Sequence, residues 1–120
     1  MSKRTKIGIS HGDINGISYE VIIKSLLDNR ILDLCSPIIY GSPKVASYHK
    51  KALELDDLNL NSIKSADESG NKKVNIINCI DEEIRVELGK STKQAGESSY
   101  LALKTAVEDL KAKKIDALVT

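Results

Sequence analysis

The stretch "IGISHGDINGISYE", residues 7–20, holds the residue types and spacing best suited to chemistry. Gly12 and Gly16 let the backbone come close to a ligand and adopt positive φ, which other residues resist. Backbone amides in such a turn, together with the start of a following helix, can face a phosphate or a carboxylate. Asp13 and Asn15 can hydrogen-bond a ribose or a substrate hydroxyl, although Asx residues also stabilise turns unaided. The pattern is neither G-x-G-x-x-G nor G-x-x-x-x-G-K-[ST], so the usual nucleotide fingerprints are absent. Residue types alone leave two readings open: a ligand loop, or a turn that merely needs glycine.

Other candidates are weaker. His11 ends the first predicted strand with no second His, Cys or carboxylate at metal-ligand spacing, so it is read as structural. His49 lies beside Lys50 and Lys51 in a predicted helix and is read as solvated. "GKST" (89–92) looks like the end of a P-loop, but the first glycine of that motif would fall on Ile84 and no helix clearly follows. The run "DEEIRVE" reads as a solvated face. Cys35 and Cys79 belong to no C-x-x-C pair and are read as buried free thiols in a reducing compartment.

These residues need elements to position them. "KIGIS" (6–10) predicts a strand, and "YEVIIKSLLDNR" (19–30) a helix capped by Ser18, with Val21, Ile22, Leu26 and Asn29 on its apolar side. "SPIIYG" (36–41) is apolar throughout, as in a strand covered on both faces. Ser42 and Pro43 open a second helix over 41–55 as N-cap and first helical residue. "LNLNSI" (58–63) and "VNIINCI" (74–80) predict strands, joined by a polar loop. Residues 81–97 read as a loop with a short extended piece. A third helix is predicted over 98–114, with Leu103, Val107 and Leu110 as its core stripe, Ala102 and Ala106 beside them, and an Asp109–Lys113 pair. "DALVT" (116–120) predicts a buried strand.

Such alternation implies an α/β fold with a mostly parallel sheet flanked by helices, in which ligands sit beyond the carboxyl ends of the strands. A length of 120 residues gives one α/β domain over 1–120. Because the last strand ends at Thr120, with no loop or cap to finish it, the chain is read as a fragment. The net charge of +1 and the 3% aromatic content, with no stacking platform, argue against a nucleic-acid partner. No apolar run approaches the ~20 residues of a membrane span, and the basic start leads into a strand rather than a signal-peptide core. A cytoplasmic protein is expected.

"IGISHGDINGISYEVIIKSLLD" resembles the N-terminus of the 4-hydroxythreonine-4-phosphate dehydrogenase family of pyridoxine 5′-phosphate synthesis. That family opens with Gly-Asp-Pro-x-Gly-Ile-Gly-Pro-Glu. Gly12, Asp13, Gly16, Ile17 and Glu20 match it, while Ile14, Ser18 and Tyr19 replace a proline, a glycine and a proline. The resemblance continues through "PIIYGSPKVASYHKKAL" and "GKSTKQAGESSYLALKTAVEDLKAKKIDALVT", so it runs along nearly the whole chain.

The resemblance implies that residues 1–120 are an incomplete N-terminal portion of a longer two-domain enzyme with an isocitrate/isopropylmalate dehydrogenase-like fold, a cleft between the domains and a homodimer. It implies NAD-dependent oxidation of 4-phosphooxy-threonine followed by loss of carbon dioxide, aided by a divalent metal on three histidines as Lewis acid. On this reading Gly12, Asp13, Asn15 and Gly16 bind the cofactor, and Thr120 lies on the side of the phosphorylated substrate. Neither His11 nor His49 matches a metal ligand of the family, so the chain alone is expected to be inactive. Two alternatives stand beside this reading: a non-catalytic α/β binding module, and an enzyme like the phosphate acyltransferases.

Overall fold

The structure, a computed structural model, describes residues 5–28, 30–55, 58–70, 72–80 and 85–120. In chain order the elements are β1 (Lys6–Ser10), α1 (Ser18–Leu26), α2 (Arg30–Leu34), β2 (Ser36–Gly41), α3 (Pro43–Ala52), β3 (Leu60–Ile63), β4 (Val74–Asn78), α4 (Lys93–Lys111) and β5 (Ala117–Val119), with a 3₁₀ turn over Ala66–Glu68. The five strands form one sheet in the order β3-β4-β2-β1-β5, and every pairing is parallel. This is the α/β class anticipated from the alternation of elements. The register Ile9↔Ile39 and Ile39↔Ile76 lines up one face, with Ile38 and Ile77 on the other. Because β2 lies inside the sheet and is covered on both faces, all six of its residues are buried.

The two faces have different cores. Ile22, Ile23 and Leu26 of α1 and Val45 and Ala46 of α3 pack with Ile39, Val74 and Ile76. On the opposite face Ala102 and Ala106 of α4 pack with Ile38, Tyr40, Ile77 and Ile115. Helices thus sandwich the sheet and leave the carboxyl ends of β1 and β2 to be covered by loops.

Several local expectations are corrected. The first helix stops at Leu26, and a second short one begins at Arg30. Ser18 is the first residue of α1 rather than its cap; Ile17 occupies that position with no side-chain cap bond. Val21 is 53% exposed, and Tyr19, at 0%, takes the inward place instead. Asn29 lies outside the described residues, as do 81–84. Ser42 caps α3 as expected, its Oγ accepting from Val45 N at 3.2 Å, with Pro43 at the first helical position. α4 begins at Lys93, five residues before the predicted start, because Thr92 supplies the cap by accepting from Ala95 N. A helix therefore does follow "GKST".

The core stripe of α4 is also displaced. Its buried positions are Ala95, Ser98, Ala102 and Ala106, whereas Leu103 and Leu110 are exposed. Small side chains let the helix axis settle close to Ile38 and Tyr40. Asp109 turns to Tyr40, accepting its hydroxyl proton at 2.6 Å, so no Asp109–Lys113 ion pair forms among the described residues. β5 is an edge strand. Leu118 is half-buried on the α4 side, and Val119, which pairs with Ile9, is 54% exposed on the other face.

Candidate ligand loop at the carboxyl end of the first strand

The segment from His11 to Ile17 joins β1 to α1 and lies next to the Gly41–Ser42 turn that leaves β2, since His11 N donates to Tyr40 O at 3.0 Å. Gly12 has φ +67°, and a Cβ there would lie 2.8 Å from Ser18 Oγ. Conformation and space therefore both call for glycine. Gly16 does not adopt positive φ; its amide donates to Asp13 O at 3.2 Å, closing a turn. Asp13 is exposed and its carboxylate accepts from Asn15 N at 3.0 Å. That bond is an Asx turn and engages Oδ1; the other oxygen, Oδ2, lies over Gly16, where a Cβ would come within 3.3 Å of it.

Asn15 is 2% exposed and turned inward. Its Oδ1 accepts from Glu87 N at 2.7 Å, and its Nδ2 donates to Lys90 O and Thr92 Oγ1. Gly89 N donates to Asn15 O at 2.8 Å. One side chain thus holds the 87–92 segment against the first loop, and Thr92, which it touches, caps α4. Thr120 is exposed beyond the carboxyl end of β5. The structure therefore brings Gly12, Asp13, Asn15 and Gly16 together in one loop, with Asp13 outermost and Asn15 beneath.

Under the loop lies a buried polar cluster that residue types did not disclose. His11 Nε2 is 3.1 Å from Ser98 O, and its Nδ1 is 2.8 Å from Tyr19 Oη. A carbonyl oxygen only accepts, so Nε2 carries the proton and Nδ1 accepts from the tyrosine hydroxyl. Tyr19 Oη in turn accepts from Ser42 N at 3.1 Å. Burial holds the His11 pKa below the usual histidine range; the Ser98 carbonyl opposes this, and nearby His49 adds to it. Burial also raises the Tyr19 pKa. A Cβ on Gly41 would run into Tyr19 Oη and lie 2.8 Å from His11 Nδ1, so this glycine makes room for the cluster.

His49 is 4% exposed, contrary to the solvated reading. It stacks on Tyr19 at 5.2 Å between ring centroids, and Nε2 donates to Ile14 O at 2.8 Å. The lysine neighbours in sequence point elsewhere because helix position, not chain proximity, sets orientation. The signal available in the sequence was spacing: His49 lies seven residues after Ser42, two helical turns along one face. His11 is structural, as read. Cys35 and Cys79 are half-buried and not joined in a disulfide, and burial pushes the Cys79 thiol up to about 11, which keeps it protonated at neutral pH.

No group of three His, Cys, Asp or Glu converges among the described residues, so they contain no complete metal site. Nor does any described helix have the length and apolarity to cross a membrane.

The model of the pyridoxal phosphate biosynthetic protein PdxA family matches residues 33–120, well over half of the chain. The chain belongs to the PdxA family. A 4-hydroxythreonine-4-phosphate dehydrogenase of Bacteroides thetaiotaomicron is 45% identical over 98% of this chain and 32% of the relative. A relative from Fusobacterium nucleatum, provisionally named a D-threonate 4-phosphate dehydrogenase, is 33% identical over 98% of this chain and 36% of its own. Among solved structures, a 4-hydroxythreonine-4-phosphate dehydrogenase from Burkholderia phymatum superposes with a TM-score of 0.84 at 26% identity, covering 98% of this chain and 36% of that one. The parallel sheet and its flanking helices are thus part of a PdxA-type, isocitrate dehydrogenase-like fold. The chain spans about a third of the length of the relatives it matches.

Proposed function

We propose that these residues form the N-terminal part of an NAD-dependent dehydrogenase that oxidises and decarboxylates 4-phosphooxy-L-threonine in vitamin B6 synthesis. The observation that carries this reading is the 45% identity, over nearly the whole chain, to a protein named for that activity. The protein works as a homodimer in the cytoplasm, on a phosphorylated small molecule. NAD, when bound, accepts a hydride from the substrate carbon. The ligands of a divalent metal come from outside the described residues.

Within this chain Asp13 is the residue offered to the cofactor. Its exposed carboxylate suits a ribose hydroxyl, and its negative charge disfavours a phosphate at the same spot. Gly12 keeps the backbone low enough for that approach. Asn15 and Gly16 set the shape of the loop, since the Asn15 side chain and both residues' amides already have partners. Thr120 lies at the end from which substrate approaches.

The test uses the protein read through its natural frame, with divalent metal, NAD or NADP, and either 4-phosphooxy-L-threonine or D-threonate 4-phosphate. NADH formation with the first substrate is expected, and Asp13→Ala should raise KM for NAD at least about tenfold, the scale of one lost hydrogen bond to a charged group, while largely sparing kcat. Turnover of D-threonate 4-phosphate alone would move the substrate assignment to the second relative's name. No reduction with either substrate would sink the dehydrogenase reading and favour a binding module.

A further inference from the structure

In the turn from Asp13 to Gly16, the middle peptide, Ile14–Asn15, is held at both ends. Gly16 N donates to Asp13 O at 3.2 Å and closes the turn. On one side of the middle peptide the Ile14 carbonyl accepts from His49 Nε2 at 2.8 Å. On the other, the Asn15 amide donates to Asp13 Oδ1 at 3.0 Å. A peptide unit is planar and trans, so its C=O and N–H point in opposite directions and turn together. Fixing the carbonyl towards α3 therefore fixes the amide towards the Asp13 carboxylate. The alternative is a flip of this one peptide, the change that separates a type I from a type II turn. A flipped peptide needs positive φ at Asn15, which asparagine tolerates, yet Asn15 does not adopt it. The residue type leaves both orientations open, and the partner of the Ile14 carbonyl selects one.

His49 is held firmly enough to make that selection. Its side chain is buried, stacked on Tyr19 at 5.2 Å and edge-on to Tyr48 at 5.5 Å between centroids, which restricts the direction of its donor. Tyr19 is itself fixed, because its Oη accepts from Ser42 N and bonds His11 Nδ1. We propose that His49 is a positioning residue for cofactor binding: through the Ile14–Asn15 peptide it sets the Asp13 carboxylate that meets NAD. This rests on the reading of Asp13 as the residue offered to the cofactor. The two linked hydrogen bonds strengthen each other, since the charge on Asp13 polarises the peptide between them and makes its carbonyl a better acceptor. Being buried, His49 acts on the cofactor only through the loop.

Two substitutions of similar size in the natural-frame protein test this: His49→Gln, whose amide nitrogen can replace Nε2, and His49→Leu, which has no donor. His49→Leu should raise KM for NAD as far as Asp13→Ala does, at least about tenfold, with kcat largely spared, while His49→Gln should stay within about threefold of the unsubstituted protein. His49→Asn, whose nitrogen falls short of the carbonyl, should behave like His49→Leu. Because both residues act on one contact, the double variant of Asp13→Ala with His49→Leu should be no worse than Asp13→Ala alone. Hydrogen exchange at the Asn15 amide should quicken at least about tenfold in His49→Leu and stay unchanged in His49→Gln. Effects on KM that multiply in the double variant, or that are equal for Gln and Leu, would reduce His49 to a support of the fold and overturn the proposal. If Asp13→Ala leaves KM unchanged, the cofactor reading of Asp13 falls by itself. Exchange at Asn15 then decides: equal rates in the Gln and Leu variants overturn the positioning role, and faster exchange in the Leu variant alone upholds it.

Discussion

His11 shows how a residue suited to catalysis becomes a structural one. Both ring nitrogens are engaged, one donating to Ser98 O and one accepting from Tyr19. Protonating Nδ1 would place two hydrogens between it and Tyr19 Oη, and no carboxylate is bonded to the ring to offset the buried charge. The folded state therefore holds the pKa below 6.5. Between that lowered value and 6.5 the unfolded chain binds a proton that the folded chain does not, so stability rises with pH across this window and is level above it. The midpoint of urea unfolding should fall as pH drops from 7.5 towards 5.5. His11→Gln should be less stable at pH 7.5 but have a flatter profile, and an equal slope in both proteins would refute the role given to His11.

At the scale of elements, the first loop and α4 are coupled through Asn15. Three side-chain hydrogen bonds run from it to the 87–92 segment, and Thr92 both receives one of them and caps the helix. Asn15→Ala removes these bonds and strands Glu87 N and Lys90 O in a partly buried place, at a cost of about 1–3 kcal/mol. The loss should be local: amide exchange at Gly89 and Ala95 should accelerate strongly while β2 remains protected. Uniform acceleration along the chain would mean that Asn15 supports the fold globally rather than this junction.

For the molecule as a whole, protection should follow the sheet order. β2 is buried at all six positions between β1 and β4, whereas β5 has three residues and pairs only with β1 among the described strands. In this chain β2 and β4 amides should exchange through global opening and β5 amides through local fraying. Hydrogen exchange followed by mass spectrometry distinguishes the two, and β5 as slow as β2 would contradict this picture.

The alternation of strands and helices was legible because local periodicity is a short-range property. "SPIIYG" needs both faces covered whatever lies around it, and Ser42-Pro43 starts a helix by its own chemistry. The glycine requirement at Gly12 was readable for the same reason. What depended on distant partners was not. Both α4 rows have helical spacing, and only the tight fit of Ala102 and Ala106 against Ile38 and Tyr40 decided which faced the sheet. Asn15 and His49 are polar residues in polar surroundings of sequence, yet both are buried because residues 72 and 35 positions away, respectively, supply their partners. Sequence sets which segments form elements and where the chain must turn; the three-dimensional meeting of β1, β2 and α4 decides which polar groups remain free to meet a ligand.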